Sequence, residues 1–209
     1  MPKNFNKKAV AVTLFIVIAL VIVASSIFYF FIAKPGNICM GSECVLPEMG
    51  PPYEIYESCI KLETETGARI LGLQGGRIDV GEYLPGSDYA PFSSHLNFLG
   101  SPVPYWYYVS GSGLVKENVP SKSQMESELE KFIEEGLVNC DLEEAYIQGF
   151  LINKKSPKAT VKIKEESIEV TIENDITVYK EDKTSLVREF SLVIDSKLGK
   201  FYDTAKAIY

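Results

Sequence analysis

The chain has 209 residues, of which 46% are hydrophobic and 23% charged, and its formal net charge is −7 at pH 7. After residue 34 it carries 17 basic and 28 acidic side chains, so this part has a net charge of −11 and would repel phosphate backbones, which argues against nucleic-acid binding. About 175 residues after that point suffice for one domain with a substantial core.

An apolar run opens the chain: residues 9–33 contain no charged side chain and predict a transmembrane helix. At about 1.5 Å of rise per residue, this run exceeds the roughly 30 Å hydrocarbon core of a bilayer. Lys3, Lys7 and Lys8 precede it, so the positive-inside rule predicts a cytoplasmic tail at residues 1–8 and an extracellular C-terminal domain. The expected localisation is the cell membrane, crossed by a single span.

A cleaved secretory signal is the alternative for this run, because Ala24, Ser25 and Ser26 are small enough for a peptidase. The apolar core of such a signal is usually about 7 to 15 residues long, which is shorter than this run. Prolines and glycines are frequent in residues 34–52, which predict a stalk, and residues 53–209 predict the extracytoplasmic domain.

Four cysteines follow the predicted span, where thiols commonly oxidise to disulfides. Three pairings are open. We favour Cys59 with Cys140, because each lies on the apolar stripe of a predicted helix, and Cys39 with Cys44 then closes a small loop. A zinc site is disfavoured, because the cysteine spacing is poor and His95 is the only histidine. We predict no metal and no cofactor.

The first half of the domain predicts a helix, two strands and a long loop. Apolar residues recur at helical spacing in residues 53–73, and the glycines that follow indicate the end of that helix. Residues 77–84 alternate enough for a strand. Proline and glycine interrupt residues 85–104 too often for regular structure, and residues 105–110 predict an aromatic strand.

The second half predicts a clear helix that begins after Ser121. Ser121 and Gln124 form a capping-box pattern, and the apolar stripe that follows predicts one buried face. Glu126, Glu128 and Glu130 would then lie in water.

Short alternating segments follow this helix and predict an antiparallel meander, at residues 159–164, 167–173, 175–180 and 183–195. An amphipathic helix closes the chain. The predicted fold class is α+β, with an N-terminal transmembrane helix followed by one extracytoplasmic domain in which an antiparallel sheet packs against helices.

The strongest candidates for binding are Tyr105, Trp106, Tyr107 and Tyr108, because these side chains combine apolar area with polar tips. Strand alternation places Tyr105 with Tyr107 on one face and Trp106 with Tyr108 on the other, and either face could be exposed. Core packing on both faces is the competing interpretation. The breaker-rich loop before these residues is long enough to indicate a functional contact.

Gln74 is a further candidate, since its amide could bond to an adjacent strand. The glycines around it do not form the GxGxxG pattern of a nucleotide site, so they indicate a helix stop. His95 could act as a base with Asp79, Glu82 or Asp88, which could also gather a weak cation, but no catalytic motif surrounds it. The chain is therefore predicted to be non-enzymatic, with no catalytic residue.

Several segments resemble a family of uncharacterised, single-pass surface proteins from archaea of the DPANN lineages. The resemblance covers roughly residues 53–208; it includes the PVPYWYY segment and the C-terminal LGKFYDTAKAI, and its most specific part is LGLQGG at residues 71–76. It implies a membrane-anchored location at the cell surface and no particular activity.

Three functions compete. The first is a binding or scaffold protein of the archaeal envelope, with the membrane, envelope proteins or further copies of the chain as partners. The second is a pilin-like filament subunit whose apolar N-terminal helix packs among sister subunits. The third, an enzyme based on His95, has no motif behind it, so we prefer the first.

Overall fold

The computed structural model describes residues 20–23, 25, 38–40, 43–81, 93–109 and 113–209. The chain divides into two units, Met1–Asn37 and Ile38–Tyr209. In the first unit, residues 20–23 and 25 are helical, and most of the predicted span at residues 9–33 lies outside the described residues.

In the described part of the chain, no helix is both long and apolar enough to cross a membrane. The longest of these helices, Pro51–Leu73, has 23 residues, but it carries charged side chains such as Glu57, Lys61 and Arg69, which a bilayer core would not accommodate. This finding overturns the predicted fold class with its transmembrane helix, and also the predicted single-pass localisation in the cell membrane. The fold that the structure shows is α+β with antiparallel sheets.

The second unit contains ten described strands and four described α-helices. The strands are β1 Ile38–Met40, β2 Glu43–Val45, β3 His95–Phe98, β4 Ser101–Pro104, β5 Tyr107–Val109, β6 Val115–Glu117, β7 Leu151–Lys154, β8 Lys158–Ile163, β9 Ser167–Lys180 and β10 Lys183–Asp195. The helices are α1 Pro51–Leu73, α2 Lys122–Val138, α3 Glu143–Ile147 and α4 Leu198–Ile208, and a short 3-10 helix spans Pro47–Met49.

Strands β7 to β10 form the main antiparallel sheet around β9. β10 pairs along one side of β9, while β7 and β8 share the other side and pair with different parts of it. The alternation in β8 and β9 predicts that Val161, Ile163, Ile168, Val170, Ile172, Ile176 and Val178 face the core, and the structure confirms that all of them are buried. The residues between them lie on the opposite, more exposed face of the sheet.

β9 runs without interruption through Asn174, so the two predicted segments at residues 167–173 and 175–180 are one strand. Asn174 keeps the alternation because its side chain is buried, and its Nδ2 donates to the Tyr56 hydroxyl at 2.8 Å. The pairing register shifts here, so that Asn174 and Asp175 together stand opposite Arg188 of β10. Asn174 is polar and lies at this bulge, so the sequence pattern predicted a break between two strands at this position.

The core lies between this sheet and helices α1 and α2. The predicted capping box of α2 is confirmed: Gln124 N donates to the Ser121 hydroxyl at 3.2 Å, and Ser121 N donates to Gln124 Oε1 at 2.8 Å. The two helices approach closely at Gly67, where an added Cβ would lie 2.4 Å from a methyl carbon of Leu129. A glycine is therefore required at this crossing.

Glu126, Glu128 and Glu130 do not point freely into water as predicted. Their carboxylates accept hydrogen bonds from backbone N–H groups of β8 and of the segment after α1. In particular, Glu128 Oε2 accepts from Ile78 N at 2.6 Å and from Asp79 N at 3.2 Å. These bonds occupy backbone amides that a neighbouring strand would otherwise bind. The predicted strand at residues 77–84 is therefore wrong for its described part, residues 77–81, which is not a strand.

The compact unit begins at Ile38 and includes part of the predicted stalk. Val45 and Met49 are both buried in the same core as α1. Glu43 accepts from the backbone N of Arg188 at 2.7 Å and pairs with its guanidinium at 2.9 Å, which ties the β1–β2 hairpin to β10.

Candidate functional site

Two β-hairpins flank the predicted aromatic residues: Tyr107 and Tyr108 lie on β5, and Tyr105 and Trp106 connect the hairpins. β3 pairs with β4, and the bond from Tyr105 N to Ser94 O at 3.2 Å closes the base of this hairpin. β5 pairs with β6, and Asn118 N donates to Trp106 O at 2.7 Å at the base of the second. The β3–β4 hairpin lies within residues 85–104, so the prediction that this segment lacks regular structure is wrong. Two of the prolines, Pro102 and Pro104, lie within β4, which is possible because an edge strand does not need every N–H.

Trp106 anchors these hairpins to the domain. Its Nε1 donates to the carbonyl oxygen of Gly75 at 2.8 Å, and its ring makes edge-on contacts with Tyr202 and Tyr209, with centroid distances of 6.2 and 6.0 Å. Gly75 has a φ of +63°, so the predicted helix stop is confirmed, and this turn presents its carbonyl to the indole. Trp106 is therefore a packing residue and not a free contact.

Tyr107 is the most exposed of the four aromatic candidates, with 52% of its surface accessible, whereas Tyr105 and Tyr108 are half-buried. Gln74 does not reach an adjacent strand. In the amide orientation that satisfies both of its polar atoms, the side-chain nitrogen donates to the carbonyl oxygens of Arg77 and Ile78 at 3.1 and 3.2 Å. Of the predicted binding residues, Tyr107 alone combines an aromatic ring with a largely open surface.

The same two hairpins carry a set of exposed apolar side chains that the sequence pattern did not predict. Phe98 is 58% exposed and Leu99 is 91% exposed. We define the hairpin surface as these two residues with three other exposed side chains, Leu96, Tyr107 and Val115. The signal that could have found it is the alternation of Leu96 and Phe98 before Gly100, because a short connection that contains glycine indicates a hairpin.

Leu99 and Gly100 form the two-residue connection between β3 and β4. Their φ angles are +50° and +88°, and Asn97 Oδ1 accepts from Gly100 N at 3.0 Å. Tight turns with two positive φ angles favour Asn-Gly, and a leucine in the left-handed region costs roughly 1–2 kcal/mol. The chain therefore holds a bulky apolar side chain in a strained conformation at an exposed turn.

The alternative site at His95 gains little from the structure. Its Nδ1 lies 3.2 Å from the Ser94 hydroxyl, while Asp79 Oδ1 accepts from Gly81 N at 3.1 Å. Glu82 and Asp88 lie outside the described residues. Within the described ranges, no group of three or more histidine, cysteine, aspartate or glutamate side chains could hold a metal ion.

The cysteines form two disulfides, Cys39–Cys44 and Cys59–Cys140, which confirms the favoured pairing. The second disulfide joins the middle of α1 to the residue pair that follows α2, across 81 positions of sequence. The first closes the β1–β2 hairpin. Both bonds require an oxidising environment to persist.

These features define a disulfide-linked α+β domain with two appended hairpins. No protein-family model matches this chain, and no curated protein or solved structure matches it either. The resemblance to archaeal surface proteins stays a prediction.

Proposed function

We propose that this domain is a non-enzymatic binding or scaffold module that holds a partner protein against the hairpin surface. The observation that carries this proposal is Leu99, which combines near-complete exposure with a left-handed backbone. Strain and exposure at one residue are both unfavourable in the isolated domain, and they cluster where function requires them.

Burial in a partner would offset both costs. Covering a leucine side chain stabilises a complex by about 1.5–3 kcal/mol, and aromatic residues such as Phe98 and Tyr107 are enriched at protein interfaces. Single exposed apolar residues are ordinary, but five of them lie on two hairpins that are consecutive in the chain. The partner that fits is a protein with an apolar pocket for the turn.

The substitution Leu99→Asn separates binding from folding. Because asparagine adopts positive φ readily, we expect this variant to be more stable than the parent by about 0.5–1 kcal/mol, measured by chemical denaturation. We expect it at the same time to lose partner contact. A partner complex would be trapped in the native cells with a photo-crosslinking residue at position 107, in the parent and in the variant.

Ile147, which is exposed on α3, provides the matched control. Ile147→Asn should leave the crosslinked product unchanged, whereas Leu99→Asn should remove it. A product that persists in Leu99→Asn, or that forms equally from a photo-crosslinking residue at position 147, would contradict the proposal. The filament alternative depends on residues 9–33, and no observation in the described residues favours it.

A further inference from the structure

The two outer edges of the main sheet differ in whether their outward backbone groups have hydrogen-bond partners. At β8, the backbone N–H groups of Ala159, Val161 and Ile163 each donate to a carboxylate at 2.9 Å. The acceptors are Glu134, Glu130 and Glu126 of α2. Four helical residues rise about 6 Å and two strand residues about 6.6 Å, so this row of glutamates matches the row of outward amides.

The same bonds establish which backbone groups of β10 face outward. Ile163 directs its backbone N–H away from β9, toward α2. Its partner on β9, Ile168, therefore directs its own N–H and C=O away from β8 and toward β10. There Ile168 pairs with Ile194, whose backbone groups face β9. Backbone groups alternate in direction along a strand. Ser191 and Val193 therefore direct their N–H and C=O groups away from β9, and among the described residues these groups have no hydrogen-bond partner.

Helix α1 lies along this open edge but does not cap it. Its residues Glu57, Lys61 and Glu65 line a groove of about 480 Å³ together with residues 191–195. The spacing is the one that α2 uses to cap β8, but the central residue is a lysine, which cannot accept a hydrogen bond and pairs with Glu65 at 3.9 Å. Val193, on the strand beside the groove, is 70% exposed.

The groove continues into a second, more apolar hollow of about 470 Å³, which shares Glu65, Ile194 and Asp195 with it. Leu73 and Leu198 line this hollow, as does Phe201, which is 67% exposed. The groove thus has three carboxylates, Glu57, Glu65 and Asp195, against one lysine, Lys61. The hollow carries Arg69 and Lys197 beside its apolar residues, so it suits an apolar side chain and not a basic one.

We propose that residues 191–195 accept an extended, basic segment of a partner protein as an added antiparallel strand. Backbone bonds to Ser191 and Val193 would supply affinity, as in other cases of strand addition. Arginine or lysine side chains of the segment would lie over Glu57 and Glu65, and an apolar side chain near its N-terminal end would enter the hollow beside Phe201. This site does not depend on the hairpin surface.

A second copy of the chain fits this edge less well. In the register that aligns the whole of residues 189–195, with the axis at Leu192, two β10 edges would set Glu189 opposite Asp195 of the other copy. Like charges placed opposite each other destabilise a strand pair. The net charge of −11 after residue 34 adds a general repulsion between copies. A basic segment meets the opposite situation, because the groove attracts it.

The test uses the full 209-residue chain and a synthetic peptide of about seven residues, capped at both ends, with the sequence Leu-Thr-Arg-Thr-Arg-Thr-Arg. This order places the leucine and the arginines on the same face of the added strand. Binding is measured by calorimetry, and hydrogen exchange reports protection of the Ser191 and Val193 amides. We expect saturable binding with both amides protected. A peptide with glutamate in place of arginine should bind at least about tenfold more weakly.

Two controls separate strand addition from simple charge attraction. Val193→Pro removes one outward N–H, which an edge strand tolerates, and should abolish binding without lowering the melting temperature, while Val193→Thr keeps the N–H and should bind as the parent does. A peptide with alternate amides N-methylated keeps every charge and should not bind.

Equal binding by the N-methylated peptide, or by Val193→Pro, would overturn the proposal, as would a failure of the arginine peptide to bind. Equal binding of the glutamate peptide would contradict the proposed contacts of basic side chains with Glu57 and Glu65, and with them the basic character of the segment. If the chain instead forms dimers that Val193→Pro dissociates, the edge belongs to a second copy and the basic-segment proposal is wrong.

Discussion

At the scale of single residues, the bond between Asn174 and Tyr56 joins two polar side chains inside the core. Asn174 is 3% exposed, and in the described part of the chain its Oδ1 has no hydrogen-bond partner. The Tyr56 hydroxyl therefore accepts from the Asn174 amide nitrogen, while the amide oxygen gains nothing from this contact. A buried amide left without partners costs more than the bond itself is worth.

We expect Tyr56→Phe to lower the free energy of unfolding by about 1–3 kcal/mol, because it leaves the Asn174 amide without this acceptor. Tyr107→Phe removes a hydroxyl from a largely exposed ring and should change stability by less than about 0.5 kcal/mol. Urea denaturation of the two variants checks the difference. Equal stability of both variants would show that the buried bond contributes nothing.

Burial raises the pKa of the Tyr53 and Tyr56 phenols, although bonds to Ser185 and Asn174 respectively oppose the shift. The neutral phenols are favoured in the folded state, so their contribution is fully present below the unfolded pKa of about 10 and is lost as the pH rises through the folded value. We therefore expect the free energy of unfolding to fall steadily above about pH 10.

The variant with both Tyr53→Phe and Tyr56→Phe should show a shallower alkaline decline, after allowance for its lower stability at pH 8. Urea denaturation at a series of pH values gives both curves. Parallel curves above pH 10 would assign the decline to other groups.

At the scale of elements, the three glutamates that α2 directs at β8 protect an edge that could otherwise pair with another chain. Glu130→Ala leaves the Val161 N–H unpaired, and we expect it to lower the free energy of unfolding by about 1–3 kcal/mol. Glu135→Ala on the same helix removes only an exposed pair with Lys131 and should cost less than about 0.5 kcal/mol.

Thermal and urea unfolding of these two variants provide the comparison. A further measurement, the tendency to aggregate at high concentration, should rise only for Glu130→Ala. If both alanine variants behave alike, the glutamates are ordinary surface residues, as their sequence pattern alone had predicted.

At the scale of the whole molecule, the Cys59–Cys140 disulfide closes a loop that includes both hairpins and all of α2. In the loop-entropy view, such a bond restricts the unfolded chain by roughly 4–5 kcal/mol. We expect the double serine variant to melt roughly 10 °C lower, given about 2–4 °C per kcal/mol for a domain of this size.

The matched control is the double serine variant of Cys39 and Cys44, whose short loop predicts a contribution of only roughly 2 kcal/mol. Scanning calorimetry of both variants measures the difference. A larger loss from the short loop would mean that strain or local packing outweighs loop entropy.

The elements with strong periodicity could be read from the sequence, and those held by specific side-chain contacts could not. Alternation identified the buried face of β8 and β9, and Ser121 with Gln124 marked the start of α2, because both patterns are local. The strand predicted after α1 does not form, because the Glu128 carboxylate, fifty residues away, accepts hydrogen bonds from the backbone amides of that segment. Of the predicted binding residues, Tyr107 is exposed, whereas Trp106 packs against the domain because its indole N–H bonds to the Gly75 carbonyl. The alternation of the aromatic residues could not decide between these two orientations.

Trp106 is the single tryptophan of the chain, and its indole sits at the joint between the hairpins and the core. Its fluorescence is therefore an intrinsic optical reporter of that joint. A red shift in emission that precedes loss of helical circular dichroism would register release of the hairpins while the sheet remains folded. The molecule thus allows local undocking to be distinguished from global denaturation without any added label.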